Sequence, residues 1–569
     1  MLYSKYVNMI KEGLHDKQRT ALYLVVGGCH FCETCAAGGD NEPCRLPEKA
    51  MPSLESFCLF FYIKTEVGTV VQVIFGEKAY MAEKGACLGD ALSDAGGLAM
   101  PCGKHGKCGK CRVVAQGSLS PVSDTEKSLL SEADIQAGVR LACCTYVLGD
   151  CVITPEKKGE EQICTQGVMP EFSVAPMFSK YGVAIDIGTT TLAARLYDVG
   201  GNLLAEHSQM NPQCTWGADV ISRIEAALSG KEAELSEAMA MALDDMLSSL
   251  ASKAGVALSE IDAVVLTGNT AMLYLLTQTS VMPLSRAPFV IEHTFDEIKT
   301  AQRLRLCKIL PQTPVYMPPC LAAFVGADTV TAMLASSLCL PDTTRLLVDI
   351  GTNGEMALWH KNQLFVCSTA AGPAFEGVGI SMGMSGAEGA VDQVKIANGA
   401  LCAHAIGGGT PVGICGSGIV DAVACLLDTE ELDESGYLED GEAVIAAPVV
   451  LTQKDIRMVQ LAKSALCSGV QTLLHEAGVL ADETESLFVA GGFGSFLNIK
   501  NACRIGLLPM EFSKKIQVVG NAALAGASML LLNENFRNEV KEICQKANVV
   551  ELSTNAFFMD AYIDNMSFE

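Results

Sequence analysis

No stretch of the 569 residues approaches the about 18 consecutive apolar residues that a membrane-spanning helix needs, although hydrophobic residues make up 49% of the chain. Basic residues are also few: 40 Lys and Arg stand against 65 Asp and Glu, which gives a net charge of −25. This balance argues against nucleic acid or an anionic membrane surface as a partner. The first residues, MLYSKYVNMIKEG, lack the apolar core of a signal peptide. We therefore expect a cytoplasmic protein.

Two common nucleotide-binding signatures are missing as well. The chain has no G-x4-G-K-[ST] sequence, which excludes a P-loop, and no Rossmann fingerprint after a first strand. Disulfides are not expected in a reducing cytosol, so the 24 cysteines need another explanation. Sixteen are scattered and are typical of small buried side chains, whereas eight form two closely spaced sets.

The chain is too long for one hydrophobic core, so several domains are expected. The pattern predicts a multidomain α/β protein. We predict a cysteine-rich module over residues 1–66, a second cysteine-bearing domain over 69–157, a linker over 158–180 and a large α/β domain over 181–569.

The first cysteine set reads Cys29-x2-Cys32-x2-Cys35-x8-Cys44. Three thiolates on one tight turn with a more distant fourth favour a [4Fe–4S] cluster. Four thiolates also suit zinc, although zinc sites usually take two separate C-x2-C pairs. The following Cys44-Arg-Leu-Pro resembles part of the pattern in a family of predicted metal-binding proteins. The choice between the cluster and zinc stays open.

The second set reads Cys102-x5-Cys108-x2-Cys111, followed by Cys143. This spacing is close to that of plant-type ferredoxins, in which four thiolates hold a [2Fe–2S] cluster. Glycines in the loop PCGKHGKCGKC let backbone N–H groups approach the cluster sulfurs. A zinc knuckle is the alternative, but it does not require so long a glycine loop. Cys144 competes with Cys143 as the fourth ligand, and we select Cys143.

The flanking elements follow the order of a β-grasp ferredoxin. The sequence predicts a strand over 70–75, a helix over Cys87–Ala95 and a second helix over Asp124–Ala137. Basic residues crowd the cluster loop of this acidic protein. These residues are Lys104, His105, Lys107, Lys110 and Arg112. They are suited to offsetting the negative charge of the cluster and guiding the docking of a partner. The alternative is that they form only a solvated basic surface.

Two strand–turn–strand units in the large domain repeat a D-x-G-T motif. Turns of this type cradle phosphates through N–H and hydroxyl groups, and each Asp points at Mg²⁺ or its waters. The predicted phosphate-side residues are Gly188, Thr189, Thr190, Thr191, Gly351, Thr352, Asn353 and Gly354. Asp186 and Asp349 are the predicted metal-side carboxylates. Glu355 is assigned to orienting water, with capping of a following helix as the alternative.

A third glycine-rich turn follows the strand SLFV and is assigned to the adenosine; its glycines are Gly491, Gly492 and Gly494. Two D-x-G-T turns followed by this third turn resemble the actin-like ATPase superfamily, which includes sugar kinases and Hsp70. The resemblance implies a duplicated fold that binds ATP with Mg²⁺ between two lobes.

The chain resembles one family more specifically, the reductive activators of corrinoid-dependent enzymes. Residues 69–569 carry the resemblance in the blocks NPQCTWGADVISR, TGNTAM, GAD, AGPAFEG, ICGSG and ELSTNAF. It implies an ATP-dependent protein that uses an iron–sulfur cluster to reduce the Co(II) of a corrinoid protein to Co(I), recharged by a low-potential electron donor. The extra N-terminal cysteine module departs from the family pattern and leaves the route of electron entry open.

Three other functions compete with this one. An activator of 2-hydroxyacyl-CoA dehydratases would carry paired cysteines inside the ATPase fold itself, and none with such spacing occurs there. A small-molecule kinase would not need eight clustered cysteines. A non-catalytic nucleotide-binding scaffold would show no ATP hydrolysis. The sequence leaves open whether two copies form a homodimer.

Overall fold

The computed structural model describes residues 69–76, 78–92, 98, 100, 104, 106, 109–155 and 166–568. The first cysteine set, and Cys102 and Cys108 of the second, lie outside these residues. None of the helices in the described ranges combines the length and apolar character needed to cross a bilayer.

The first described domain is a five-stranded sheet. Its strands are β1 Val70–Phe75, β2 Lys78–Glu83, β3 Arg112–Leu119, β4 Val139–Leu141 and β5 Val147–Pro155. They lie in the order β2-β1-β5-β3-β4, with β1 parallel to β5 and β3 antiparallel to it. Alternate residues of β1 point inward, and Val73, Val113 and Ile153 are fully buried in the core. The strand predicted over 70–75 is confirmed.

The helices of this domain are shorter than predicted. They are Leu88–Ala91, Asp124–Leu129 and Glu132–Gln136. The single helix predicted over Asp124–Ala137 is wrong, because Leu130 is extended and Ser131 starts a new helix. The Ser131 hydroxyl accepts a hydrogen bond from the N–H of Asp134, whose carboxylate accepts from the N–H of Ser131. This capping box favours a second helix start over continuation.

The following lobe contains a six-stranded sheet. Its strands are β6 Tyr181–Ile187, β7 Thr191–Asp198, β8 Leu203–Met210, β9 Ile261–Gly268, β10 Glu297–Thr300 and β11 Pro314–Met317. The order is β10-β11-β9-β6-β7-β8. Its helices are Val220–Ala226, Glu232–Ala254, Thr270–Thr277 and Ala327–Ala335. The long helix Glu232–Ala254 matches the prediction over Glu232–Lys253 to within one residue and is capped by Gly255, whose φ is +68°.

The last lobe repeats this arrangement. Its main strands are β12 Arg345–Ile350, β13 Gly354–His360, β14 Gln363–Thr369, β20 Ser486–Ala490, β21 Ile516–Gly520 and β22 Ala547–Val549. The order is β21-β20-β12-β13-β14-β22. In both lobes a central strand pairs antiparallel with the next strand and parallel with a later one, β9 or β20. The predicted duplication of an actin-like fold is confirmed.

Smaller elements complete the last lobe. The remaining strands are β15 Ala390–Ala397, β16 Ala400–Ala405, β17 Gly413–Ile414, β18 Glu442–Ala446 and β19 Val449–Thr452. The helices are Gly416–Asp428, Gln453–Ala477, Ile499–Arg504, Ala522–Leu532, Phe536–Cys544 and Ala556–Asp564. The helix predicted over Asp455–Ala477 is confirmed.

Part of the predicted linker packs along the ATPase fold. The N–H of Val168 donates to the carbonyl of Val519 at 3.0 Å, and the N–H of Ala175 donates to that of Leu532 at 2.8 Å. Residues 166–180 therefore share backbone hydrogen bonds with the last lobe before β6 begins.

Candidate functional site: a nucleotide cleft and a cluster site

Each predicted phosphate turn closes a β-hairpin. The N–H of Gly188 donates to the carbonyl of Thr191 at 3.0 Å, and that of Gly351 donates to the carbonyl of Asn353 at 3.0 Å. A Cβ on Gly188 would lie 2.8 Å from the Thr191 carbonyl oxygen, so a larger residue would distort this turn. Each turn is thus closed by the N–H of its own glycine, across four residues in the first turn and three in the second.

The two turns meet through their threonines. The Thr190 and Thr352 hydroxyl oxygens lie 3.3 Å apart. Both hydroxyls donate to Glu376, at 3.1 Å from Thr190 and 2.8 Å from Thr352. Burial raises the pKa of Glu376 despite these hydrogen bonds. Glu376 therefore joins the predicted phosphate turns of both lobes.

Four acidic side chains, here called the cleft carboxylates, gather beside these turns: Asp186, Asp328, Asp349 and Glu355. Burial, followed by repulsion from Asp328, raises the pKa of Asp186 to about 8 and that of Asp349 to about 7. Burial raises the pKa of Asp328 to about 6 and that of Glu355 well above its ordinary value. Glu355 lies in β13 opposite Asp349, so the alternative of a helix cap is wrong.

The cleft carboxylates fit a magnesium–nucleotide complex. Burial is the main cause of their raised pKa values, and repulsion from Asp328 adds to it for Asp186, Asp349 and Glu355; a divalent cation would favour the charged carboxylates. Among the residues that the structure covers, no three His, Cys, Asp or Glu side chains form a ready metal site. Mg²⁺ usually takes one or two carboxylates and completes its shell with waters and phosphate oxygens, so it does not require such a site.

The third glycine turn lies against the second phosphate turn. Gly491 has a φ of +97°, and a Cβ there would lie 2.6 Å from the Ile350 carbonyl and 2.7 Å from a carboxylate oxygen of Asp349. Any larger residue would collide with a cleft carboxylate. Phe493 stacks on Phe375, with ring centroids 5.3 Å apart and planes 13° apart. This contact connects the turn to the residue next to Glu376.

The other predicted turn residues occupy the same region. Gly492 is exposed in the third turn, and Gly494 is buried where a Cβ would lie 2.8 Å from Val489. Thr189 is partly exposed, and Gly354 begins β13. The structure therefore places these residues in or beside the three turns, while their contacts with ATP stay predictions.

Asp328 belongs to the block GAD, but the sequence alone does not predict a role for it. Asp328 lies in the first turn of the helix Ala327–Ala335 and raises the pKa of Asp186, Asp349 and Glu355. A Cβ on Gly326 would lie 2.6 Å from its carboxylate. An acidic residue after a Gly-Ala pair was the available signal. Its partners lie far away in the sequence.

Arg223 was also overlooked. It is fully buried; its Nε donates to the Gly217 carbonyl at 2.9 Å and one terminal nitrogen approaches the Met272 sulfur at 3.1 Å. The other terminal nitrogen has no hydrogen-bond partner among the described residues. Burial lowers its pKa to about 10, while Glu376 is one of the nearby acids that favour its charge. A buried cation thus lies near Glu376, which accepts the hydroxyls of Thr190 and Thr352.

The cluster site assembles at the junction of β3 and β4. Cys111 directly precedes β3, and its Sγ lies 3.2 Å from that of Cys143, which follows β4. The Cys144 Sγ lies 3.6 Å from that of Cys143. Gly106 has a φ of +65°, and a Cβ there would lie 3.2 Å from the Cys144 sulfur. The thiols of Cys111, Cys143 and Cys144 converge beside Gly106, an arrangement that fits an iron–sulfur cluster.

A buried ion pair supports this site. Arg140 donates to both carboxylate oxygens of Glu126, at 2.8 and 3.0 Å. The N–H of Leu141 and the hydroxyl of Thr145 donate to the same carboxylate, each at 3.1 Å. Burial alone would raise the pKa of Glu126, but Arg140 and the backbone donors lower it to about 2. Both ends of the Cys143–Cys144 turn are therefore fixed by one carboxylate.

Comparison with known families assigns most of the chain. Residues 343–569 match the family described as the C-terminal ASKHA domain of RACo, and residues 181–340 match the RACo middle region. Residues 74–148 match the 2Fe–2S iron–sulfur cluster binding domain, and residues 2–82 match a predicted metal-binding protein family, DUF2284. Among curated proteins, corrinoid activation enzyme RamQ from Eubacterium limosum is 35% identical over 68% of this chain and 70% of its own length.

The chain belongs to the reductive activators of corrinoid proteins. A second curated protein similar to this chain is the [Co(II) methylated amine-specific corrinoid protein] reductase of Methanosarcina barkeri. It is 25% identical over 68% of this chain and 77% of its own length. The solved structure of a reductive activator for corrinoid, iron-sulfur protein superposes with a TM-score of 0.64 and 28% identity, covering 87% of this chain and 98% of the other.

Proposed function

We propose that this activator reduces the cobalt of a corrinoid protein from Co(II) to Co(I), using ATP to make an unfavourable electron transfer proceed. The observation that carries the proposal is the joining, in one chain, of a nucleotide cleft and a cysteine-lined cluster site. Each of the two curated relatives carries a name that concerns corrinoid activation or Co(II) corrinoid reduction.

The electron balance is simple. Co(II) gains one electron from a reduced [2Fe–2S] cluster, which a low-potential donor then reduces again. A plant-type cluster has a potential of about −400 mV, and each ~59 mV of uphill one-electron transfer costs a factor of ten in the equilibrium constant. The proposal takes the Co(II)/Co(I) couple to lie below the cluster, so that ATP is needed.

The residues of the cleft have defined tasks in this proposal. The N–H groups and hydroxyls of the two phosphate turns bind the phosphates, and the cleft carboxylates hold Mg²⁺ or its waters. Glu355 orients the attacking water. Closure of the lobes on the nucleotide then changes the position of the cluster domain relative to the corrinoid protein. The N-terminal cysteines hold a [4Fe–4S] cluster in this proposal, with zinc as the alternative.

The test is an anaerobic assay with reconstituted protein, a low-potential reductant, MgATP and a panel of Co(II) corrinoid proteins, followed through the Co(I) absorption band. Asp349→Asn should abolish ATP-dependent Co(I), and Cys111→Ser should do the same by disturbing the cluster. The matched controls are Asp245→Asn and Cys402→Ser, since both side chains are exposed and lie outside the three turns and the cluster site. ATP hydrolysis without Co(I) from any corrinoid protein would contradict the proposal.

A further inference from the structure

One contact connects the cluster loop with the ATPase fold. Lys110 directly precedes Cys111, and its ammonium donates to the carbonyl of Gly383 at 2.7 Å. The two residues are 273 positions apart in the chain. The other described basic residues of this loop bind within their own domain: Lys104 to Asp90 and Arg112 to Asp134, each at 2.6 Å. Lys110 thus reaches from the ferredoxin domain to the ATPase fold.

The acceptor of this bond lies in a tightly constrained turn. The N–H of Gly383 donates to the carbonyl of Ile380 at 3.1 Å. A Cβ on Gly383 would lie 2.3 Å from the carbonyl oxygen of Gly377, so the two ends of the turn are in close contact. The residues on either side of Gly383 pair with β17. The N–H of Met384 donates to the carbonyl of Ile414, and the N–H of Ile414 donates to the carbonyl of Met382, each at 2.9 Å. Gly377 and Gly383 therefore pack directly against each other, which provides a contact through which a displacement of one reaches the other.

The same turn begins at the nucleotide cleft. Glu376, next to Gly377, accepts the hydroxyls of Thr190 and Thr352 from the two phosphate turns. Phe375 stacks on Phe493 of the third turn. Residues 375–383, here called the coupling segment, thus contact all three nucleotide turns at one end and Lys110 at the other. No other residues are needed to join the cleft to the cluster loop.

We propose that Lys110 is a positioning residue, through which the coupling segment makes the environment of the [2Fe–2S] site depend on the nucleotide in the cleft. The inference rests on the proposed binding of ATP between the phosphate turns. Phosphates that engage Thr190 and Thr352 compete for the hydroxyls that Glu376 holds, so the coupling segment has different contacts with and without nucleotide. Such a difference in contacts is what a ligand needs in order to shift a conformational equilibrium.

The test measures the midpoint potential and the electron paramagnetic resonance spectrum of the [2Fe–2S] cluster in the full-length holoprotein. Each is recorded without nucleotide, with MgADP and with MgATP. In the wild-type protein the midpoint potential should differ between the nucleotide states. A tenfold change in the equilibrium constant for reduction corresponds to a shift of about 59 mV. Lys110→Met should lose the dependence on nucleotide, whereas Lys110→Arg should retain it because a cation still reaches the carbonyl.

Two further variants keep the test decisive. Gly383→Ala changes only the ATPase side and should also abolish the response, because the added Cβ displaces the turn. Lys127→Met removes an exposed lysine of the same ferredoxin domain and should respond as wild type. The inference is overturned if Lys110→Met responds to nucleotide as wild type does, or shifts the potential equally in all three states. Nucleotide binding by calorimetry and ATP-dependent Co(I) formation are measured in parallel, so that failure of the proposed function is seen separately.

Discussion

Arg140→Met should unfold the cluster domain at a much lower temperature, because it leaves the buried Glu126 carboxylate without its cation. Glu126 has no exposed surface, and its partners lower its pKa from 4.5 to about 2. At 1.36 kcal/mol per pKa unit, the difference is on the order of 3 kcal/mol. Removing one partner of a buried pair typically costs about 3–5 kcal/mol, which agrees. For a domain of this size, the melting temperature should fall by about 10 °C or more.

The assay is anaerobic heating of the holoprotein, with loss of the cluster absorption reporting unfolding of the domain. The matched control is Lys127→Met, on the helix that carries Glu126; the exposed ion pair of Lys127 with Asp124 spans 3.1 Å. That change should cost about 1 kcal/mol or less. Because the pKa of Glu126 is lower in the folded protein, its contribution is complete above pH 4.5 and is lost as the pH falls toward 2. Equal melting temperatures for Arg140→Met and Lys127→Met would refute the reasoning.

Three further predictions concern the two sites. Gly491→Ala should weaken MgATP binding at least tenfold in calorimetry, because the new Cβ meets Asp349; Gly409→Ala, with nothing within 4 Å, is the control and should bind as wild type. MgATP binding should release protons and tighten as the pH rises from about 6 to 8, because the cleft carboxylates must lose protons to face Mg²⁺; equal calorimetric heats in buffers of different ionisation enthalpy would contradict this. Cys143→Ser should change the electron paramagnetic resonance spectrum of the reduced cluster and Cys144→Ser should not; the reverse would assign the ligand to Cys144.

The sequence predicted the repeated parts of the fold. The two D-x-G-T hairpins lie where the motif places them, at β6–β7 and β12–β13, and the long helices Glu232–Ala254 and Gln453–Ala477 differ by at most two residues at either end from the predicted ones. These elements can be predicted because strand alternation and helical periodicity depend on residues that are close together in the sequence. The break at Leu130 was missed because a capping serine inside a helical pattern also fits a continuous helix.

The contacts between distant segments could not be predicted. Asp328 joins Asp186 and Asp349 only after two separate lobes have folded, and Glu376 bridges turns that lie 186 and 24 residues before it in the chain. From the sequence, Lys110 was equally consistent with a solvated surface residue and with a residue that contacts another part of the protein. Propensity and periodicity describe neighbours in sequence, whereas these contacts depend on how sheets and loops approach each other in space.

The most direct test of ATP-driven reduction is the yield of Co(I) at a fixed solution potential, with and without MgATP, for a corrinoid protein mixed with this activator. ATP coupling predicts that MgATP raises the Co(I) fraction above the value set by the potential, and that this excess disappears in Asp349→Asn. A Co(I) fraction that is the same with and without MgATP, in a protein that binds and hydrolyses it, would contradict ATP-driven reduction.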